Sequence, residues 1–355
     1  MSGFRRGFRA KSPLILLAAA LLLVPALLAF QSVFVSGLWT NVPLERCLLR
    51  ARDSFTYVSW TVGRVKQAPP EGPAAYLLGG SAAREAIVSG EDLAADVAQL
   101  GGPAITAYDL GSSNQNFAQS LAVIDNLPDT PAWVLIGVNL GRFTPDKQSN
   151  VDQVQGRGFL LKSPALERFA AEEWGTRARA TTILPGISAY LTDLADQKAR
   201  RLRTGKPLSI PYKQHAFYAV AQVRKVPQKE RYVEVWNTRQ YPVFRRNLQM
   251  NLRVLEALLA RAQERGLRVV FVELPLNEEI VRGRFDYAKV KYQRPVQKLA
   301  RRYDAPYLDF NDELAIPNAS FFDLSHMIES GSVVWQRRLA RELVRLMAAE
   351  ADAAS

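Results

Sequence analysis

The chain has 355 residues, 48% of them hydrophobic and 23% charged, and a formal net charge of +12. That composition suits one large α/β domain or two small ones, and it excludes a disordered or fibrous chain. One cysteine, Cys47, excludes an internal disulfide, and with only two histidines, His215 and His326, no Cys/His cluster points to a metal.

The basic balance favours anionic partners. It concentrates in Arg5, Arg6, Arg9 and Lys11 and in residues 177–206. No zinc-ligand spacing, RNA-binding signature or helix-turn-helix pattern accompanies either cluster, so no nucleic acid is expected. The second cluster reads as a solvated helix face or as a contact for an anionic glycan or lipid head group.

In chain order, the first element is an apolar run over residues 13–38, with no charge between Lys11 and Glu45. It supplies the roughly 20 apolar residues that a transmembrane helix needs. The cations ahead of it predict a cytoplasmic N-terminus, with Trp39 as an interfacial anchor on the far side. A retained single-pass signal anchor is the first reading and a cleaved signal peptide the second. Both place the main domain outside the cytoplasm. Cys47, just past this segment, reads as incidental. Residues 39–73 form a juxtamembrane connector, amphipathic over 45–66 and closed by a Pro/Gly-rich break at 67–73.

The main domain is expected over residues 74–350. A strand at 74–78 ends at Gly79 and Gly80, and a helical pattern follows to about residue 100. A strand at 104–110 stops at Gly111 and is followed by a helix over 114–127. A strand at 132–136 stops at Gly137. A long helix at 245–265 precedes a strand at 267–274. The last strand lies at 305–310 and the last helix at 332–349. Short apolar strands alternating with helices predict a three-layer α/β sandwich with a parallel central sheet. The stretch at about 143–241 breaks the alternation and reads as an insertion, a lid or a partner-binding subdomain.

In such sheets, ligands sit beyond the carboxyl ends of the strands. The residues there are Ser81, Gly111 to Asn114, Asn139, and the Asp323–His326 stretch. Ser81, at a strand-to-helix turn, is a candidate nucleophile. His326 is a candidate base, and Asp323 can fix its tautomer. The backbone N–H groups of Ser81 and Gly111 and the side-chain amide of Asn139 are candidate oxyanion donors. Taken singly, each has a plainer reading: a turn for Gly79–Ser81, a cap for Asn139 or Asp323, a structural role for His326. Their order and spacing favour the joint reading. Ser112, Ser113 and Ser325 are weaker nucleophile candidates, and His215 reads as a surface or lid residue.

Ser81, Gly111, Asn139 and His326, with the Asp323-x-x-His326 pair, resemble the signature blocks of the SGNH (GDSL-like) hydrolase superfamily. Within it, the chain is most similar to exported single-span members, such as the alginate O-acetylation and teichoic acid D-alanylation proteins. Residues 272–277 also look like that branch's fourth strand and its exit loop. Gly80 and Leu140 depart from the Asp residues found there in many members. The resemblance implies a serine acyltransferase or esterase needing no cofactor or metal. It implies acyl, by analogy acetyl, transfer to a cell-surface polysaccharide, with a multispan membrane-bound O-acyltransferase as a possible partner. An esterase or deacetylase using the same triad, and a non-catalytic envelope scaffold, are the alternatives.

Overall fold

The computed structural model describes residues 13–47, 54–155, 160–175, 183–205 and 223–354. His215, the four N-terminal cations and part of the 177–206 cluster lie outside them. Five parallel strands form one sheet in the order β2-β1-β3-β4-β5. They are β1 (Ala74–Leu78), β2 (Thr106–Asp109), β3 (Ala132–Val138), β4 (Arg268–Glu273) and β5 (Tyr307–Leu308). β1 and β3 are buried at every position, as strands covered on both faces must be.

The strands alternate between two cores, as a period of two requires. Ala74, Tyr76, Leu78, Val134, Ile136 and Val138 face one cluster. That cluster holds the helices Phe117–Asn126, Tyr241–Glu264 and Asp286–Arg302. Ala75, Leu77, Leu135, Val270 and Val272 face the other, against Gly90–Gln99 and the final helix Glu329–Ala354. Each fully buried Leu, Val or Phe contributes about 1.5–3 kcal/mol.

Three expected elements differ. The helical pattern after β1 splits into a turn, Ser81–Arg84, and a separate helix, Gly90–Gln99. Ser89 caps the second helix by accepting the Asp92 N–H. Gly90 lies so close to β2 that an added Cβ would stand 2.1 Å from the Ala107 carbonyl oxygen. The last strand shrinks to two residues, since Pro306 cannot donate to a ladder. Part of the expected connector is helix, Ser54–Gln67. Its Val58, Val62 and Val65, at i, i+4 and i+7, are buried in the first core.

The expected anchor segment is a single helix, Pro13–Val35, of 23 residues. Among the described residues, no helix is long and apolar enough to cross a membrane; several of this helix's side chains lie outside that set. Trp39 is not a free anchor. It is buried in a small cluster with Phe34, Cys47, Leu160 and Tyr190.

Within the 143–241 stretch, the described residues are largely helical, with helices at Lys147–Gln155, Pro164–Trp174, Ile183–Thr204 and Val226–Val235. Val151, Leu166, Ala170, Trp174 and Val233 all enter the first core. Its last helix, Val226–Val235, runs through a π-helical turn, Trp236–Gln240, into Tyr241–Glu264.

Candidate functional site

The chain leaves β1 for β2 on one side and then crosses to β3 on the other, so β1 and β3 flank the topological switch point. Crevices in open α/β sheets form there. Ser81 follows β1 and Asn139 follows β3. Gly80 is extended (φ −69°, ψ −170°) and caps the turn. Its carbonyl accepts the N–H groups of Ala83 and Arg84, at 3.0 and 3.2 Å. Among the described residues, no hydrogen bond uses the Ser81 N–H, as expected for the first residue of a helical turn.

His326 comes to Ser81 from the far end of the chain. An antiparallel bridge between Phe321 and Met327 closes the loop that carries it. Within the loop, Asp323 Oδ1 accepts the backbone N–H groups of Ser325 and His326, both at 3.0 Å. Both carboxylate oxygens lie 2.9 Å from His326 Nδ1, and His326 Nε2 lies 2.8 Å from Ser81 Oγ. Asp323 can only accept when ionised, so Nδ1 carries the proton and Nε2 is left to accept from Ser81. Burial pushes the Asp323 carboxyl up. The His326 hydrogen bond, its charge and the two backbone N–H groups outweigh that and hold it at about 2.

Two buried side chains brace this loop. Lys229 Nζ donates to the Asn318 carbonyl at 3.0 Å and the Phe321 carbonyl at 2.8 Å. Asn277, just past β4, donates from Nδ2 to the Asp323 carbonyl at 3.2 Å, and its N–H donates to the Leu324 carbonyl at 2.9 Å. Burial lowers the Lys229 pKa; the charges of Asp323 and Glu279 oppose that.

Asn139 Oδ1 accepts the Arg142 N–H at 3.2 Å, capping the turn Leu140–Phe143. Only the oxygen can accept from an N–H, so the amide orientation is set. Among the described residues no hydrogen bond uses its Nδ2–H groups, and Asn139 lines the cleft beside Ser81. Gly111 is placed differently. Its N–H donates to Asp109 Oδ1 at 3.0 Å, and it does not line the cleft. An added Cβ there would stand 2.8 Å from the Arg84 nitrogen, so Gly111 packs behind the Ser81 turn. From the same loop, Asn114 (φ 57°) reaches the cleft wall.

Of the rival serines, Ser112 is fully buried, with its Oγ accepting from Gln119. Ser113 Oγ accepts from Arg84, and Ser325 lies on the cleft wall.

Two cavities meet at Asn139, Gly141 and Ser325. One, of about 610 Å³, contains Ser81 and His326 and is walled by Asn114, Gln115, Asn116, Thr144 and Ser149. The other, of about 420 Å³, is walled largely by aliphatic and aromatic side chains.

Sequence reasoning missed Lys229, Glu85 and Arg142. Arg142 is buried behind Asn139. It donates to the Gly137 carbonyl at 2.8 Å and Ser120 Oγ at 2.6 Å, and lies 4.1 Å from the Phe117 ring centroid. Burial lowers its pKa to about 9, and it brings positive charge to the polar cleft. Glu85 is buried beside Arg84, 3.0 Å away. Burial pushes its carboxyl up to about 7, against the charges of Arg84 and His326. Among the described residues, no group of three His, Cys, Asp or Glu side chains is placed to hold a metal.

A hydroxyl hydrogen-bonded to an imidazole, itself held by a carboxylate, is the arrangement that activates an alcohol as a nucleophile. A scan against protein-family models finds no match to this chain, and neither does a search of curated proteins.

Proposed function

We propose that the protein is a serine-dependent acyl-transfer enzyme that works through an acyl-enzyme on Ser81. The observation that carries this reading is the unbroken line Ser81 Oγ, His326 Nε2, His326 Nδ1, Asp323, at 2.8 and 2.9 Å. Ser81 Oγ attacks the acyl carbonyl carbon while its proton passes to His326 Nε2. The carbonyl oxygen takes the negative charge, facing the Ser81 N–H and the Asn139 amide. The leaving alcohol departs with the proton from His326. An acceptor hydroxyl then gives its proton to His326 and attacks the acyl-enzyme. The bond to Ser81 Oγ breaks, Ser81 takes the proton back from His326, and the acceptor carries the acyl group away.

The polar cleft favours a hydroxyl-rich acceptor. Its wall of Asn114, Gln115, Asn116, Thr144 and Ser149 suits a saccharide, and a cell-surface polysaccharide is the acceptor of this proposal. Water as acceptor gives an esterase or deacetylase from the same residues. A non-catalytic scaffold would have no use for an oriented Ser–His–Asp line.

The setting we propose is the outer face of the cytoplasmic membrane. The helix Pro13–Val35, taken whole, has no charged residue and exposes Leu14, Leu17, Leu21 and Leu28. At 1.5 Å per residue it spans roughly 34 Å, against about 30 Å of hydrocarbon. This takes in positions whose side chains lie outside the described set. A membrane-bound O-acyltransferase would be a fitting donor of the acyl group.

The test is labelling of the purified protein with a fluorophosphonate, with Ser81→Ala as control, followed by acyl-ester turnover. Labelling and turnover lost together in Ser81→Ala support the reading. No labelling and no turnover in the wild type reject it in favour of the scaffold.

A further inference from the structure

We infer that the apolar cavity beside Ser81 is an acyl-chain subsite, and that the acyl group is a linear chain of medium length, longer than acetyl. This rests on the reading of Ser81 as the nucleophile. The cavity joins the Ser81 cleft at Asn139, Gly141 and Ser325. An acyl carbon bonded to Ser81, with its oxygen on Asn139, therefore stands at the cavity mouth. The wall is built from Leu140, Val235, Trp236, Leu276, Phe285 and Tyr292. Trp236 and Phe285 pack at 4.8 Å between ring centroids.

The ionisable groups on the wall already have partners. Tyr292 and Tyr307 donate to the two carboxylate oxygens of Glu273, and Lys289 Nζ lies 3.0 Å from Glu278 Oε1. A ligand gains little by offering them a polar group. At about 420 Å³ the cavity has room for on the order of ten groups of water or methylene size. An acetyl group would leave most of it empty, which an apolar wall does not favour. The two sides of Ser81 thus divide the substrate, with hydroxyls in the polar cleft and hydrocarbon in the apolar cavity. Trp236 opens a π-helical turn, a form found frequently at functional sites.

The experiment is a chain-length series of p-nitrophenyl acetate, butyrate, hexanoate and octanoate with the full-length protein. Each buried methylene is expected to raise kcat/KM about fourfold, so the hexanoyl ester should exceed the acetyl ester by well over tenfold. Val235→Trp and Leu276→Phe fill the cavity and should lower the hexanoyl-to-acetyl ratio at least tenfold. Hexyl and methyl fluorophosphonates give the same comparison as inactivation rates on the wild type, with no variant to misfold. Acetyl turnover with a flat or falling series, and the same inactivation rate for both probes, overturns the inference while leaving Ser81 catalytic. The cavity would then suit a sugar ring stacked on Trp236. Absence of both labelling and turnover removes the Ser81 reading and this inference with it.

Discussion

The buried ammonium of Lys229 donates to the carbonyl oxygen of Phe321 at 2.8 Å, two residues before Asp323. The helix Val226–Val235, within the stretch that interrupts the α/β alternation, therefore holds the loop that carries the carboxylate and the histidine. The same helix contributes Val233 to the core and Val235 to the apolar cavity.

Lys229→Met should keep the fold and loosen that loop. It leaves the Phe321 carbonyl without its donor, at about 1–3 kcal/mol for a group left buried, while the Asn318 carbonyl keeps the Phe321 N–H at 3.1 Å. The Tm should fall by several degrees. Displacement of about 1 Å at a catalytic group can cost roughly 100-fold in rate, so kcat should fall on that order with KM little changed. A kcat equal to wild type, with only the Tm reduced, would show that the brace does not position His326.

Asp323→Asn keeps the shape of the side chain but offers an amide where a carboxylate held Nδ1–H. His326 then turns to the tautomer that cannot accept from Ser81. A loss of about 10⁴ in kcat is expected, as for the corresponding change in other triads. Asp323→Glu should not rescue it, because Asp323 Oδ1 also accepts two backbone N–H groups at 3.0 Å that fix the loop. Single-turnover acylation rates with the two variants measure both effects.

The two proposed oxyanion donors after β2 and β3 should behave differently. Asn139→Ala removes a pre-oriented amide and should cost about 10²–10³ in kcat, plus the Arg142 N–H cap. Gly111→Ala drives a Cβ to 2.8 Å from the Arg84 nitrogen. Overpacking of this kind costs about 1–3 kcal/mol. Its first effect should be a lower Tm, with loss of activity following from displacement of the Ser81 turn.

Much of this architecture is legible in the sequence because the strands are short, apolar and punctuated. The strand at residues 74–78 was expected at the positions it occupies, since five buried residues end at two glycines. The Asp323–His326 spacing is local, so the Nδ1 hydrogen bond follows from three residues of separation. Lys229 was not legible. Its partners lie 89 and 92 residues away, and nothing in its neighbourhood separates it from a surface lysine. Gly111 was legible as a strand stop but not in its direction, because its N–H is taken by Asp109 two residues earlier. The break between Ser81–Arg84 and Gly90–Gln99 was missed because Gly90 answers to a contact with β2, not to helix periodicity.

The two glycines before Ser81 separate stability from access. A Cβ at Gly79 would lie 2.5 Å from Ala83 Cβ, whereas one at Gly80 meets nothing within 4 Å. Gly80 also has negative φ and extended ψ, which alanine tolerates. Gly79→Ala should therefore lower the Tm by several degrees. Gly80→Ala should leave the Tm within about 1 °C and instead raise KM, because its methyl occupies space on the wall of the Ser81 cleft. Equal Tm losses in the two variants would contradict this division.

Stability should fall as pH rises from about 5 to 8. Burial lifts the Glu85 and Glu273 carboxyls from 4.5 to about 7. In Glu85 the charges of Arg84 and His326 oppose the rise; in Glu273 the Tyr292 and Tyr307 hydroxyls do. A carboxyl with a raised folded pKa holds its proton more tightly in the folded chain than in the unfolded one. Its stabilising contribution is full below the unfolded value, near 4.3, and is lost as pH rises through about 7. Asp323 acts in the opposite sense. Held at about 2, it stabilises above its unfolded value and loses that contribution only in strong acid. The Tm measured by calorimetry should thus peak near pH 5 and decline toward pH 8. Glu273→Gln removes one of the two buried acids and should roughly halve that decline. Its Tm at pH 5 should be lower, since an amide with a single acceptor oxygen replaces a carboxyl group whose two oxygens each take a phenol. A pH slope unchanged by Glu273→Gln would assign the titration to Glu85, and Glu85→Gln would then be the variant that flattens it.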